Sequence, residues 1–192
     1  MLPLIQSLQY FKDFPIAKFE IVNEKSLVEA SSKIQFPLYL KVDTEKHKAK
    51  INAIFKCNNF QELQKNFNSL LKKFPNQRLI IQEDIKGIEL VLGIQKDKTF
   101  GKILMLGIGG TLIEQIKDIK FRKIPITKQE IQNSIEKLNL YNSISSSLNE
   151  HNKQSFINLA YEIQKLNLKE ADLNPIILTD KEAKIVDARI QT

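Results

Sequence analysis

Hydrophobic positions along the chain follow two periods, and the switches between them divide it into elements. Phe60, Leu63, Phe67, Leu70, Leu71 and Phe74 recur at three- and four-residue spacing, which predicts an amphipathic helix. Asn59 with Glu62 reads as its capping box, and Pro75 ends it. Leu27, Ala30 and Ile34 predict a shorter helix from about Glu24. A third helix carries Ile131, Ile135 and Leu138 behind a Thr127/Glu130 cap, and a last one carries Phe156, Leu159, Ile163 and Leu166. Short apolar runs between them predict strands: Phe19 to Val22, Pro37 to Val42 with Ile51 to Phe55 as its hairpin partner, Leu79 to Glu83, Glu89 to Ile94, and Lys102 to Leu106. The polar stretch from Asn142 to Ser147 predicts a loop. This order, without an internal repeat, implies an α+β fold with antiparallel pairs and helices packed on one side of each sheet.

One further hairpin has consequences for chemistry. Ile176-Ile177-Leu178 and Ala183-Lys184-Ile185-Val186 flank the polar turn Thr179-Asp180-Lys181-Glu182. With Asp180-Lys181 at the tip, the register that pairs Leu178 with Ala183 also sets Asn174 opposite Asp187. Opposed side chains on one face of an antiparallel pair have Cβ atoms about 4.5–5.5 Å apart. An amide carbonyl and a carboxylate so placed could share one cation, and few oxygen ligands suit Mg²⁺, which keeps its other positions for water and phosphates. The alternative is a polar hairpin base, with Asn174 capping a turn and Asp187 paired with Arg189 or a lysine.

Composition narrows the class. With 192 residues and 42% hydrophobic content, the chain can bury the core of one domain or two small lobes. No apolar run approaches membrane-spanning length and the first residues lack the pattern of a signal peptide, so a soluble, cytoplasmic protein without a membrane partner is expected. Cys57, the single cysteine, excludes an internal disulfide and a cysteine zinc cluster. A net charge of +7 and a pI near 9.3 raise the possibility of nucleic-acid binding. The basic residues are spread along the chain among acids, without a stacking platform, so a nucleic-acid partner is not expected.

Several polar residues stand where packing does not require them. Lys41 ends an apolar strand, where its ammonium could reach a phosphate or simply snorkel to water. Glu83 and Asp84 close one strand and Glu89 opens another; they could accept from an adenine amino group and ribose hydroxyls, or be solvated strand ends. Gly107-Ile108-Gly109-Gly110 could expose backbone N–H groups as an anion nest, or form a plain turn. His47, between Lys46 and Lys48, could be a solvated loop residue or a nucleophile whose flanking cations steady a phosphoryl group. His151 reads as part of a helix start.

Taken in order, these segments resemble the ATP-grasp β subunit of the nucleoside-diphosphate-forming acyl-CoA synthetases, which include the ADP-forming acetate–CoA ligases and are related to succinyl-CoA synthetase. The resemblance rests on Phe14-Pro15-Ile16-Ala17-Lys18-Phe19, Phe36-Pro37-Leu38-Tyr39-Leu40-Lys41-Val42, Ile81-Gln82-Glu83, Gly87-Ile88-Glu89, Phe100-Gly101, Gly107-Ile108-Gly109-Gly110, Glu114, Lys117-Asp118, Phe121-Arg122, Asp172-Leu173-Asn174-Pro175 and Asp187-Ala188-Arg189. It implies an ATP-grasp fold of two α+β lobes, residues 1–84 and 85–192, whose mixed or antiparallel sheets enclose a nucleotide cleft.

The resemblance also implies roles. Lys41 matches the lysine that contacts nucleotide phosphates, Gln82, Glu83, Asp84 and Ile85 match the segment that holds the adenine, and Glu89 matches an acid on the ribose side. Gly109, Gly110 and Arg122 fall on the phosphate side. Asn174 and Asp187 match the Mg²⁺ pair. His47-Lys48 resembles the His-Lys of the phosphate-carrying segment, where the histidine receives phosphate from a histidine of the partner subunit. The implied reaction converts acyl-CoA, ADP and phosphate reversibly into free acid, CoA and ATP. This chain would bind ATP or ADP with Mg²⁺, and a CoA-binding α subunit would form the acyl phosphate.

The chain also departs from that pattern. The interval from Lys41 to His47 is two residues shorter, Ile51-Asn52-Ala53 stands for Val-Gly-Gly, and Ser143-Ile144-Ser145-Ser146 stands for Gly-x-Arg-Gly. Losing glycines removes freedom at positive φ. A reduced, non-catalytic nucleotide-binding or regulatory ATP-grasp module is therefore the second reading, and a basic nucleic-acid-binding protein the third.

Overall fold

The computed structural model describes residues 1–44, 52–110 and 118–192. Two compact units emerge, each built on its own antiparallel sheet: one of residues 3–5 and 17–85, the other of residues 1–2, 6–16 and 86–192. The chain opens with α1 (Leu4–Tyr10), a helix that the sequence pattern does not announce. Leu4, Ile5, Leu8 and Phe11 are fully buried, which anchors this segment by its apolar stripe.

In the smaller unit, β1 (Phe19–Val22), β2 (Leu38–Val42), β3 (Ile54–Cys57) and β4 (Leu79–Glu83) run in the order β1-β4-β2-β3. Alternation assigns the faces. Leu38, Leu40, Val42, Leu79 and Ile81 pack against Leu27 and Ala30 of α2 (Leu27–Lys33) and Leu63, Phe67 and Leu70 of α3 (Phe60–Lys73). Each such side chain is worth roughly 1.5–3 kcal/mol when fully buried. The Asn59 side chain accepts from Glu62 N–H as predicted, whereas the Glu62 carboxylate reaches one residue further back, to Asn58 N–H at 2.9 Å. α2 starts later than Glu24 because Asn23 Oδ1 takes the N–H groups of Lys25 and Ser26 into a turn. Asp43, 4% exposed, accepts from Ile5 N–H at 2.9 Å and from Arg78 Nε and Nη2 at 3.0 and 2.8 Å.

The residues that stand for the glycine pair occupy defined places. Asn52 holds a left-handed backbone at φ 49°, a conformation that asparagine adopts more readily than most residues. Ala53 is fully buried and its carbonyl accepts from Val42 N–H at 3.0 Å. Asn52 thus takes a left-handed backbone without being glycine, although the sequence suggested that such freedom was lost.

The larger unit carries β5 (Ile88–Asp97), β6 (Gly101–Ile108), β7 (Ile119–Lys123), β8 (Glu170–Leu178), β9 (Ala183–Ile185) and β10 (Ala188–Gln191), ordered β10-β8-β5-β6-β7 with β9 beside β8. Leu90, Leu92, Leu104 and Leu106 share one face, which is covered by α4 (Lys128–Glu136) and α6 (Glu150–Ile163). The expected Thr127/Glu130 capping box is present. Ser155 Oγ accepts from Ala183 N–H at 2.9 Å, tying α6 to β9. Where a loop was expected, Tyr141–Ser145 form a short helix, α5. Asp118, 1% exposed, organises the turn before it by accepting from the N–H groups of Asn139 and Leu140 at 2.9 and 2.8 Å. The first residues join this unit: Leu2 N–H donates to Ile190 O at 2.7 Å and Ile185 N–H to Pro15 O at 2.9 Å. Among the described residues no helix is long and apolar enough to cross a membrane.

Candidate functional site

In the smaller unit the candidate groups gather on the sheet face opposite α2 and α3. β3 pairs Lys56 with Tyr39, and β4 pairs Gln82 with Tyr39, so these three residues form one row across three strands, with Lys41 two residues along β2. Lys41 is 3% exposed and Gln82 fully buried. A buried ammonium needs acceptors, and Gln82 Oε1 accepts from Lys41 Nζ at 2.5 Å. The Tyr39 ring centroid lies 5.7 Å from both Lys41 Nζ and Lys56 Nζ, within cation–π range.

Just past β4, Asp84 Oδ2 accepts from Lys56 Nζ at 2.7 Å, and this hydrogen bond is the chief cause holding the lysine's pKa above its ordinary value. The Glu83 carboxylate is engaged elsewhere. Its Oε1 accepts from Lys18 N–H at 2.8 Å, while Glu83 N–H donates to Lys18 O at 3.0 Å. Glu83 therefore holds the segment leading into β1. Ile85 follows, half-buried.

In the larger unit, Glu89 and the glycines meet. Gly109 N–H donates to Glu89 O at 2.6 Å, extending the β5–β6 ladder by one pair. A Cβ at Gly109 would stand 3.0 Å from Glu89 and Leu90 backbone atoms, and one at Gly110, whose φ is +99°, would stand 2.9 Å from Glu89 Oε2. At Gly109 the backbone of Glu89 and Leu90 leaves little room for a side chain, and at Gly110 the positive φ itself favours glycine. Of the expected anion nest, the Gly109 amide is thus engaged by a carbonyl.

Asn174 and Asp187 lie opposite each other as the hairpin register requires. β8 pairs with β9 through Ile176–Ile185, Ile177–Lys184 and Leu178–Ala183, and the same register resumes with β10 at Leu173–Ala188. Between these segments Asn174 N–H donates to Asp187 O at 3.2 Å. β8 runs unbroken through Asn174, whereas the facing strand breaks at Val186 and Asp187, between β9 and β10. Pro175 has no N–H for the ladder, its carbonyl accepts from both Val186 and Asp187 N–H at 3.1 and 3.4 Å, and β8 shifts register against β5 between Leu90 and Leu92. Such bulges re-aim side chains. Asn174 is exposed and Asp187 half-buried while Leu173, Ile176, Ile185 and Ala188 are buried. Among the described residues no group of three or more His, Cys, Asp or Glu side chains converges on a point. Asn174 and Asp187 offer an amide and a carboxylate oxygen, donors of the kind that suits a hard cation retaining water and phosphate ligands.

Arg122 does not join this group. It pairs with Leu104, which puts it on the face covered by the helices, opposite in strand parity to Glu89. Its Nη1 donates to Phe121 O at 2.8 Å. Arg122 also contributes to holding Glu130 below the usual carboxylate range, after the larger effect of the Thr127 backbone N–H. His47, Lys48, Glu114 and Lys117 lie outside the described residues. Tyr39, Lys56 and Asp43 were not singled out from sequence, although the period-2 alternation that selects Lys41 also puts Tyr39 and, across the hairpin, Lys56 on its face.

Comparison with known proteins places the fold. The ATP-grasp domain family matches residues 8–192. The chain belongs to the ATP-grasp family. A curated relative, the acetate–CoA ligase (ADP-forming) I subunit beta of Pyrococcus furiosus, is 27% identical over 195 aligned residues, which cover 92% of this chain and 84% of that protein. The acetate–CoA ligase (ADP-forming) II of Archaeoglobus fulgidus is 26% identical over 87% of this chain, which spans only 26% of that longer protein. Among solved structures, the dinucleotide-forming acetyl-coenzyme A synthetase 1 of Ca. Korarchaeum cryptofilum, in complex with coenzyme A, Ca-AMPCP and HgCl⁺, superposes with a TM-score of 0.84 at 24% identity, covering 98% of this chain and 92% of that one. The paired antiparallel sheets are therefore those of an ATP-grasp protein.

Proposed function

We propose that this chain is the nucleotide-binding β subunit of an ADP-forming acyl-CoA synthetase, with acetyl-CoA as the first acyl donor to try. The observation that carries the proposal is the likeness to an ADP-forming acetate–CoA ligase beta subunit along 84% of that subunit's length. In this reading Lys41 contacts nucleotide phosphates, the Gln82–Ile85 segment holds the base, Glu89 serves the ribose, and Asn174 with Asp187 holds Mg²⁺. The cation, when bound, neutralises phosphate charge. His47 receives a phosphoryl group on its imidazole and passes it to the terminal phosphate of ADP, so that ATP forms and the histidine is regenerated. Lys48 steadies the phosphate charge; a CoA-binding α subunit produces acyl phosphate from acyl-CoA and inorganic phosphate with release of CoA, and the phosphoryl group, leaving the free acid behind, passes through a histidine of that subunit to His47.

A second reading, a reduced nucleotide-binding or regulatory module, draws on the replaced Gly-x-Arg-Gly segment at Ser143-Ile144-Ser145-Ser146. The experiment that separates the two is co-expression with a CoA-binding subunit from the same cell, followed by incubation with acetyl-CoA, phosphate, Mg²⁺ and ADP. The synthetase reading expects ATP, and its complete loss with His47→Ala. ATP formation that survives His47→Ala sinks the relay, and nucleotide binding without any ATP favours the reduced module.

A further inference from the structure

The smaller sheet carries a contact for which the roles above have no use. Lys56 stands on the edge strand β3, yet its side chain passes the Tyr39 ring on β2 and ends 2.7 Å from the carboxylate of Asp84, beyond the end of β4. It thus spans the width of three strands. Asp84 is the first residue past the ladder, which ends with Glu83, so the backbone there lacks strand pairing to fix it. Its side chain is only 6% exposed, against 38% for Lys56. A carboxylate so nearly closed to water keeps its charge only with a partner. It also lies beside Gln82 on the sheet that bears Lys41.

We propose that Lys56 is a positioning residue for the nucleotide, acting through Asp84: it pins the Gln82–Ile85 segment and cancels a carboxylate charge that would repel phosphates. The proposal rests on the nucleotide-binding reading above. Lys56 itself need not touch the ligand. Its ammonium neutralises Asp84, and the Tyr39 ring between Lys56 and Lys41 keeps the two cations on separate acceptors, Asp84 and Gln82.

The test is calorimetric titration of Mg-ADP into the 192-residue chain and its variants. Lys56→Met is expected to weaken the Kd about tenfold, as one unscreened charge near phosphates would. Lys56→Arg, which can still pair with Asp84, is expected to return to within about threefold of the parent. Parent-like binding by Lys56→Met overturns the proposal. Lys56→Arg binding as weakly as Lys56→Met also overturns it, because a restored charge pair with Asp84 would then not be what Lys56 supplies. If the parent chain itself takes up no Mg-ADP, the nucleotide reading falls and this inference with it; if the parent binds and only the Lys56 effects are missing, the inference alone falls.

Discussion

At φ +99°, Gly110 holds a backbone geometry that L side chains rarely adopt, and a methyl group there would meet Glu89 Oε2 at 2.9 Å. Gly110→Ala is therefore expected to cost about 1–3 kcal/mol, read as a lower urea midpoint at an unchanged m-value. The glycine cluster was visible in the sequence, but the reason for it was not, because Glu89 lies about 20 residues away and only the β5–β6 register brings it there. The same limit explains the other omissions. Asp43 looks like any acid after a strand; its importance comes from Ile5 and Arg78, each more than 30 residues distant. Lys41 could be picked out because an ammonium at the end of an apolar run is anomalous by itself. Asn52 shows the reverse: the lost glycine was legible, whereas the positive φ of its replacement was not.

Elements were legible where periodicity and caps agreed. α3 begins at Phe60 behind Asn59, and α4 begins behind the Thr127/Glu130 box. In α4, Glu130 Oε2 accepts from Thr127 N–H at 2.7 Å and its pKa is depressed, mainly by that bond. A depressed carboxylate stabilises the fold above its unfolded pKa and loses that contribution as pH falls through the folded value. Glu130→Ala should accordingly lower the thermal midpoint at pH 7, with the deficit against the parent shrinking as the medium is acidified below the ordinary carboxylate range. Circular dichroism melts of both proteins across pH 3–7 would check the trend, and a deficit that grows in acid would contradict it. β7 was not predicted, because Lys120, Arg122 and Lys123 in five residues resemble a solvated charge run rather than an edge strand. Without β7 the parity of Arg122 could not be assigned. α1 escaped for another reason: seven residues give too little periodicity to separate a helix from an apolar coil.

For the molecule as a whole, the α+β order and the ATP-grasp resemblance were present in the sequence, while the grouping of residues 6–16 with the larger unit was not. That grouping depends on backbone bonds such as Ile185 N–H to Pro15 O, which carry no side-chain signature. The net charge of +7 is distributed over both units, in keeping with its minor place in the functional reading. In the hairpin that carries Asn174 and Asp187, β8 runs unbroken while the facing strand breaks at Val186 and Asp187, and one backbone bond ties Asn174 to Asp187. The two proposed oxygen donors thus sit at the base of the hairpin, one on the unbroken strand and one in the break that faces it, away from the turn. Movement or redesign of the distal arm then leaves their separation untouched. Replacing the turn Thr179–Glu182 by a two-residue Asn-Gly turn should preserve the Mg²⁺ dependence of nucleotide binding, whereas Asp187→Ala should abolish it, as magnesium titrations at fixed ADP would reveal. If the proposed metal pair is right, hairpin length is free to vary and the spacing of Asn174 and Asp187 is not.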